Sequence, residues 1–295
     1  MSNILPSARM LDGTLHFNEK NGFDLARKLG AFHLEHPRGL DFSAGIALAQ
    51  NYYFDLDSDS RGDNEYRGFR QRDLGKSLLG YSHTGNDQDE LLQIECGLWR
   101  EYFPDAVADL LWAMNDLNRM VLAQLFKQVG IEEKYFDQIT GGMSSNDALQ
   151  YCIFNHFRSN AVHPLGLTAH KDSGFTTLLY TTEPGLESLE NGSWIPFDPL
   201  AGHFTMVLGH SFELLMEKSS TPVQASYHRV RKIETHALKA DRFTFGSYIG
   251  PRWDQDLYQF SEGRVRPVQS FIEFQKQKAA EMGYEFHPKV DSVHR

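Results

Sequence analysis

The 295 residues are 41% hydrophobic and 23% charged, with 21 Phe, 12 Tyr and 4 Trp, which excludes disorder, collagen-like repeats and low-complexity linkers and fits a soluble globular chain with a sizeable core. Counting 29 Lys+Arg against 39 Asp+Glu gives a net charge of −10, a field that repels phosphate backbones and anionic lipid surfaces, so nucleic acid is not the expected partner. Cys96 and Cys152 are too few for a disulfide framework and form no CxxC pair, and no apolar stretch reaches the roughly 20 residues of a membrane helix.

The opening Met-Ser-Asn-Ile-Leu-Pro lacks the basic start and apolar run of a signal peptide, so the expected location is cytoplasmic, with no membrane partner. Phe23, Ala26 and Leu29 before Gly30 predict a short helix with a glycine stop, and the alternation over 31–35 predicts a strand. Residues 41–53 favour a second helix, and the polar run 55–64 reads as a loop. After Pro104, Val107, Leu110, Leu111, Met114, Leu117, Val121 and Leu125 recur at helical spacing up to Gly130. Trp112, Met114 and Met120 on or beside this stripe are read as core packing. From about residue 147 short β-rich runs alternate with turn signals such as Glu183-Pro184-Gly185, Asn191-Gly192 and Asp198-Pro199. Candidate strands are 149–157, 167–170, 174–181, 186–190, 203–208, 225–231 and 241–248, enough for a double-sheet antiparallel architecture. Val268, Phe271, Ile272, Ala279 and Met282 before Gly283 predict a terminal amphipathic helix, over about 267–282, either a cover for the site or a dimer contact. There is no internal repeat and no long linker. The expectation is one domain over 1–295: a mixed α/β part (1–146), a jelly-roll core (147–250) and a C-terminal helical segment (251–295). The fold class is mainly β with flanking helices around a double-stranded β-helix (jelly-roll) core.

Residues two apart in a strand project to one face, so His170 and Asp172 in His170-Lys171-Asp172 can converge on a single point. His228, in another candidate strand, can supply a third ligand. Two imidazoles and one carboxylate on one side of a metal leave the opposite positions open, the arrangement of non-haem Fe(II) oxygenases. An isolated HxD is a weak signal, and context strengthens it. Arg242 and Thr244 again share a strand face, and a guanidinium fork with a neighbouring hydroxyl suits the far carboxylate of a small diacid such as a metal-bound 2-oxo acid. Asn155 and Phe157 form a third same-face pair able to line the same cavity. The remaining histidines have no partner at ligand spacing and are read as surface or turn residues, with His156 and His163 closest in sequence to the site.

Residues 150–250 resemble the catalytic core of the isopenicillin N synthase-like family of Fe(II)/2-oxoglutarate-dependent dioxygenases. The likeness runs in order through Asn155-His156-Phe157, His170-Lys171-Asp172, Pro184-Gly185-Leu186, Gly192-Ser193-Trp194, Gly209-His210, His228-Arg229-Val230 and Arg242-Phe243-Thr244. A weaker likeness covers Leu25 to Leu34 and Tyr66-Arg67-Gly68-Phe69. Thr244 stands where the family has Ser, which keeps a hydroxyl. Phe157 stands where it has Tyr, which removes a hydrogen bond to the co-substrate. The His228–Arg242 interval is longer than is usual in the family and implies an insertion near His236.

The resemblance implies that His170, Asp172 and His228 bind Fe(II), and that Arg242 and Thr244, beside Asn155 and Phe157, hold 2-oxoglutarate as co-substrate with O2. The implied reaction is oxidation, by default hydroxylation, of a C–H bond in a small-molecule substrate, an amino-acid-like or natural-product acid. Candidate substrate contacts are Tyr66, Arg67, Phe69, Arg70, Phe175, Tyr248, Arg252 and Trp253. Two alternatives stand beside this reading: an oxidative cyclisation by iron and O2 without 2-oxoglutarate, and a non-catalytic jelly-roll binding protein.

Overall fold

The computed structural model describes residues 5–55, 65–83, 85–159, 162–232 and 241–281. Its strands are β1 (Ser7–Leu11), β2 (Thr14–Phe17), β3 (Ala31–Glu35), β4 (Tyr81–Ser82), β5 (Asp89–Glu95), β6 (Leu149–Phe157), β7 (Leu165–His170), β8 (Thr176–Tyr180), β9 (Leu186–Glu190), β10 (Ser193–Pro196), β11 (His203–Leu208), β12 (His228–Arg231), β13 (Arg242–Gly250), β14 (Asp256–Ser261) and β15 (Arg264–Ser270). Its α-helices are α1 (Gly22–Leu29), α2 (Ser43–Ala49), α3 (Trp99–Tyr102), α4 (Asp105–Gln128), α5 (Phe136–Thr140), α6 (His210–Met216) and α7 (Phe271–Glu281). A nine-stranded sheet runs β2-β1-β3-β11-β8-β13-β6-β5-β4, a four-stranded sheet runs β10-β9-β12-β7, and β14-β15 form a separate hairpin. This is the jelly-roll core with flanking helices that the β-rich half of the sequence predicts.

The central strands of the large sheet are buried on both faces, and strand parity sorts their side chains. On β6, Gln150, Cys152, Phe154 and His156 turn toward the helices, while Tyr151, Ile153, Asn155 and Phe157 line a cavity on the other face. On β13, Phe245, Ser247 and Ile249 face the helical side, and Arg242, Thr244 and Tyr248 face the cavity. The long helix α4 docks on the sheet through its apolar stripe and through two buried amides. Asn118 Nδ2 donates to Ser247 O at 2.8 Å and Asn118 Oδ1 accepts from Thr176 Oγ1 at 2.8 Å, while Asn115 Nδ2 donates to Gln150 Oε1 at 2.6 Å. Buried amides satisfied in this way fix the rotation of α4 on the sheet. Helix α1 ends as predicted, with Gly30 in the left-handed region at φ 69° and packed against backbone atoms of residues 224–226, where any Cβ would collide. Among the described residues no helix is long and apolar enough to cross a membrane.

Several expectations are corrected. Met120 on α4 is 48% exposed, on the solvent side of the stripe that buries Met114 completely. The terminal helix begins at Phe271, not near 267, because residues 264–270 pair with β14 around the tight turn Glu262-Gly263, both at positive φ. The segment after residue 250 therefore opens with a hairpin rather than being helical throughout, and Val268 is an exposed strand residue. The hairpin β1-β2 was not predicted, although Asp12-Gly13, with φ of 47° and 74°, is the turn dipeptide that signals it. His33 and His156 are buried rather than superficial, His156 being held between Ala49 O at 3.0 Å and Asp241 Oδ2 at 2.9 Å. The insertion expected near His236, and Met282 and Gly283, lie outside the described residues.

Candidate metal centre and its cavity

Between the two sheets lies a cavity of about 330 Å³. His170 ends β7, and His228 begins β12, its antiparallel neighbour, so the two imidazoles are a cross-strand pair. Asp172 follows two residues after His170, and its Oδ1 lies 3.3 Å from His170 Nε2 and 3.7 Å from His228 Nε2. One ligand atom from each of the three residues lies within 4.8 Å of the others, close enough to touch a common ion.

Each ligand is also held from behind. His170 Nδ1 lies 2.9 Å from Thr168 O and His228 Nδ1 lies 3.1 Å from Ser226 O. A carbonyl oxygen only accepts, so each Nδ1 carries the hydrogen and each Nε2 lone pair is turned to the centre. Thr177 Oγ1 donates to Asp172 Oδ2 at 2.6 Å, which leaves Oδ1 for the shared point. Burial, reinforced by the charge of His170, pushes His228 down to about 4. Burial raises Asp172, but His170 and His228 override it and hold the carboxyl well below the usual range. Burial lowers His170, and its contact with Asp172 outweighs that and raises it. An ionised carboxylate and a neutral imidazole are the forms in which these groups bind metal. The donor set, two imidazole nitrogens and one carboxylate oxygen, fits a divalent iron.

A second feature of the cavity is the Arg242 guanidinium. It is 6% exposed, lies 4.8 Å over the Phe157 ring, and donates through Nη1 to Pro184 O at 2.9 Å and through Nη2 to Arg231 O at 2.7 Å. Its Nε is buried without a hydrogen-bond partner. Burial lowers its pKa to about 10, against a modest opposing pull from Glu183. A buried cation that neighbouring carbonyls satisfy only in part, with an orphaned donor, fits an anionic ligand.

Arg242, Thr244, Asn155 and Phe157 all line the cavity, as predicted, because Arg242 pairs with Phe157 and Thr244 with Asn155 across β13 and β6. Two of them have occupations that the sequence did not reveal. The Thr244 hydroxyl donates to Tyr180 O at 2.8 Å, and Asn155 Nδ2 donates to both oxygens of Asp89 at 3.1 and 3.0 Å. Burial, then the charge of Asp87, raises the Asp89 carboxyl well above its ordinary value.

Of the candidate substrate contacts, Tyr248 and Trp253 are on the cavity wall and the other six are not. Phe69 packs on Phe103 and Phe175 on Phe126, both in the core. Arg67 is buried against the Phe54 ring, Arg70 lies over Tyr81, Arg252 pairs with Asp254, and Tyr66 packs at the edge of the core. Sequence reasoning missed the wall supplied by β5 (Asp89, Leu91 and Gln93), and although it offered the terminal helix as a cover for the site, it did not place Gln275, Lys278 and Ala279 of α7 on the wall. On β5 the run Asp-Glu-Leu-Leu-Gln-Ile-Glu carries polar residues on the inner face, which hides the usual alternation. On α7 the helical spacing of 275, 278 and 279 was available, but not the side on which it docks.

Comparison with known proteins bears on the same residues. Residues 148–251 match the profile of the 2OG-Fe(II) oxygenase superfamily. A 2-oxoglutarate-Fe(II) type oxidoreductase of Emericella nidulans is 31% identical over 122 residues, 40% of this chain and 34% of that protein. Gibberellin 2-beta-dioxygenase 7 of Arabidopsis thaliana is 27% identical over 168 residues, 54% of this chain and 45% of that protein. The chain thus matches less than half the length of these curated relatives. The fold is shared with dioxygenase for auxin oxidation 1 from Arabidopsis thaliana, solved as a complex with 2-oxoglutarate, at a TM-score of 0.61 and 20% identity over 86% of this chain and 95% of that one. Residues 148–251, which carry His170, Asp172, His228 and Arg242, thus match the 2OG-Fe(II) oxygenase superfamily, in keeping with the isopenicillin N synthase-like motifs that the sequence resembles.

Proposed function

We propose that the protein is a non-haem Fe(II)/2-oxoglutarate-dependent dioxygenase that hydroxylates a C–H bond of a small organic acid. The observation that carries this reading is the presence, in one cavity, of the His170-Asp172-His228 cluster and a buried guanidinium with an orphaned Nε. Bound by the three ligands, iron supplies the oxygen activation that no side chain can perform. His170 and His228 present Nε2, and Asp172 presents Oδ1 while Thr177 fixes its other oxygen. Arg242 receives the distal carboxylate of 2-oxoglutarate, from β13 of the sheet that faces the ligand strands across the cavity. Phe157 contributes a ring face beside that guanidinium and no hydroxyl, so Arg242 carries more of the grip. Leu91, Leu167 and Leu179 give the cavity an apolar stretch of wall beside these groups.

The test is turnover with Fe(II), 2-oxoglutarate and a panel of small acids, followed by succinate release and substrate oxygenation. Substrate-dependent succinate is the expected result. Substrate oxidation with no consumption of 2-oxoglutarate would identify the oxidase alternative, and stoichiometric iron with no O2 uptake would leave only a binding protein.

A further inference from the structure

Besides Arg242 the cavity wall carries two lysines, Lys171, which is paired with Glu213 at 2.6 Å, and Lys278. Gln275, Lys278 and Ala279 form one face of α7 and close one side of the wall. Lys278 is close enough to the cluster to act electrostatically on His170, Asp172 and His228, whereas Glu183 and Arg231 are the charges that act on Arg242. Arg242 and Lys278 therefore occupy separate electrostatic neighbourhoods of the cavity, Arg242 beside the Pro184-Gly185 turn and Lys278, with Lys171 near it, beside the metal ligands.

The acidic groups that face Lys278 are already engaged. Glu213 accepts from Lys171 Nζ at 2.6 Å and from Ala225 N at 3.2 Å. Asp172 is turned to the two imidazoles, and Glu281 accepts from Gln277 on the outer face of α7. Lys278 Nζ has one hydrogen-bond partner, His210 Nδ1 at 3.3 Å, and lies 5.8 Å over the ring of Phe274, on which His210 also packs. An ammonium group has three hydrogens, and an imidazole nitrogen accepts one. A lysine near the end of a surface helix ordinarily extends its charge into water, so one folded inward without a carboxylate is a cation awaiting an anion. Beside it, Gln275 Nε2 donates to Ser173 Oγ at 2.7 Å, and Ser173 Oγ lies 2.9 Å from Tyr248 OH, which adds neutral polar groups at the same place. The apolar part of the wall includes Leu79, Leu91, Leu167, Leu179 and Trp253.

We infer that Lys278 is the anchor for a carboxylate of the substrate, and that the substrate is an apolar monocarboxylic acid whose hydrocarbon body lies along the leucine- and tryptophan-lined wall. This rests on the oxygenase reading, in which Arg242 is taken by 2-oxoglutarate and, with Lys171 paired to Glu213, Lys278 is left for the molecule to be oxidised. Lys278 thus fixes where the carboxylate end of the substrate sits relative to the metal ligands, and so which C–H bond is presented.

The experiment is anaerobic calorimetric titration of the full chain loaded with Mn(II). 2-Oxoglutarate is added first, then phenylacetate, indole-3-acetate, cyclohexaneacetate or octanoate, each beside its primary amide. The expected result is that at least one acid binds about tenfold or more tighter than its amide, the scale of a charge-assisted hydrogen bond. Lys278→Gln abolishes that preference and Lys278→Arg keeps it, while both variants bind 2-oxoglutarate within about twofold of the parent, which also reports that they fold. The inference is overturned if no acid is preferred to its amide, if Lys278→Gln retains the preference, or if Lys278→Gln weakens 2-oxoglutarate as much as the acid. Failure of the oxygenase reading shows separately, as absence of 2-oxoglutarate binding in the first titration.

Discussion

Asp172 is the residue on which the centre turns, because it makes both imidazoles converge and is itself aimed by Thr177. Replacing His170, Asp172 or His228 by Ala removes one of only three protein donors and is expected to abolish both bound iron, measured by metal analysis, and turnover. Thr177→Val leaves the donors in place but frees Asp172 Oδ2, and should cost about tenfold in metal affinity with a smaller effect on the fold. Arg242→Gln separates the two tasks of the cavity. Iron occupancy should be retained, while the 2-oxoglutarate concentration for half-maximal turnover rises about a hundredfold, the scale of a lost bidentate charge-assisted contact. Equal loss of iron in the Arg242 and Asp172 variants would show that the division is wrong. At this scale the sequence was legible where chemistry and strand parity coincide, as at His170, Asp172, Arg242 and Thr244. It was silent on Asp89 and Lys278, whose meaning depends on which strand or helix lies beside them, and it misplaced Phe69 and Phe175, whose size suited a pocket but whose neighbours are core rings.

Among the elements, the turn before β9 shows how backbone shape reaches the site. Gly185 has φ of 152°, and a Cβ added there would overlap the Arg242 guanidinium, whose Nη1 is tied to the preceding carbonyl of Pro184. The Pro-Gly-Leu turn is thus a cradle for Arg242 as well as a link between strands. Gly185→Ala should displace the guanidinium and weaken 2-oxoglutarate by about tenfold or more in a titration with Mn(II), with metal affinity unchanged, since the three ligands lie on other segments. Unchanged 2-oxoglutarate affinity would mean that the guanidinium is not the group that holds it. Strands such as β6, β9 and β11 were read with the bounds they have, because β-rich runs and turn residues mark their ends. The β14-β15 hairpin was lost because its second strand is polar, mostly exposed and contains Pro267, a pattern that no burial constraint makes periodic.

For the whole molecule, the jelly roll is a device for joining residues that are far apart in the chain. His170 and His228 face each other only when β7 and β12 are paired, and Arg242 reaches the same cavity only when β13 is paired with β6. In the unfolded chain these side chains are separated by long loops, so the unfolded state offers no comparable site and binding is linked to folding. A ligand that binds only the native state at about a hundred times its Kd adds about 2.7 kcal/mol of stability. For a protein of this size that is roughly 5–10 °C in Tm, at the usual few degrees per kcal/mol. Mn(II) with 2-oxoglutarate should therefore raise the melting temperature of the parent protein by about that much, and Mn(II) alone by less. Asp172→Ala should show neither shift, because it lacks the centre on which the proposed function assembles the 2-oxo acid. Arg242→Gln should keep the shift with Mn(II) and lose the increment from 2-oxoglutarate. A 2-oxoglutarate increment that survives in both variants would place the co-substrate outside this cavity.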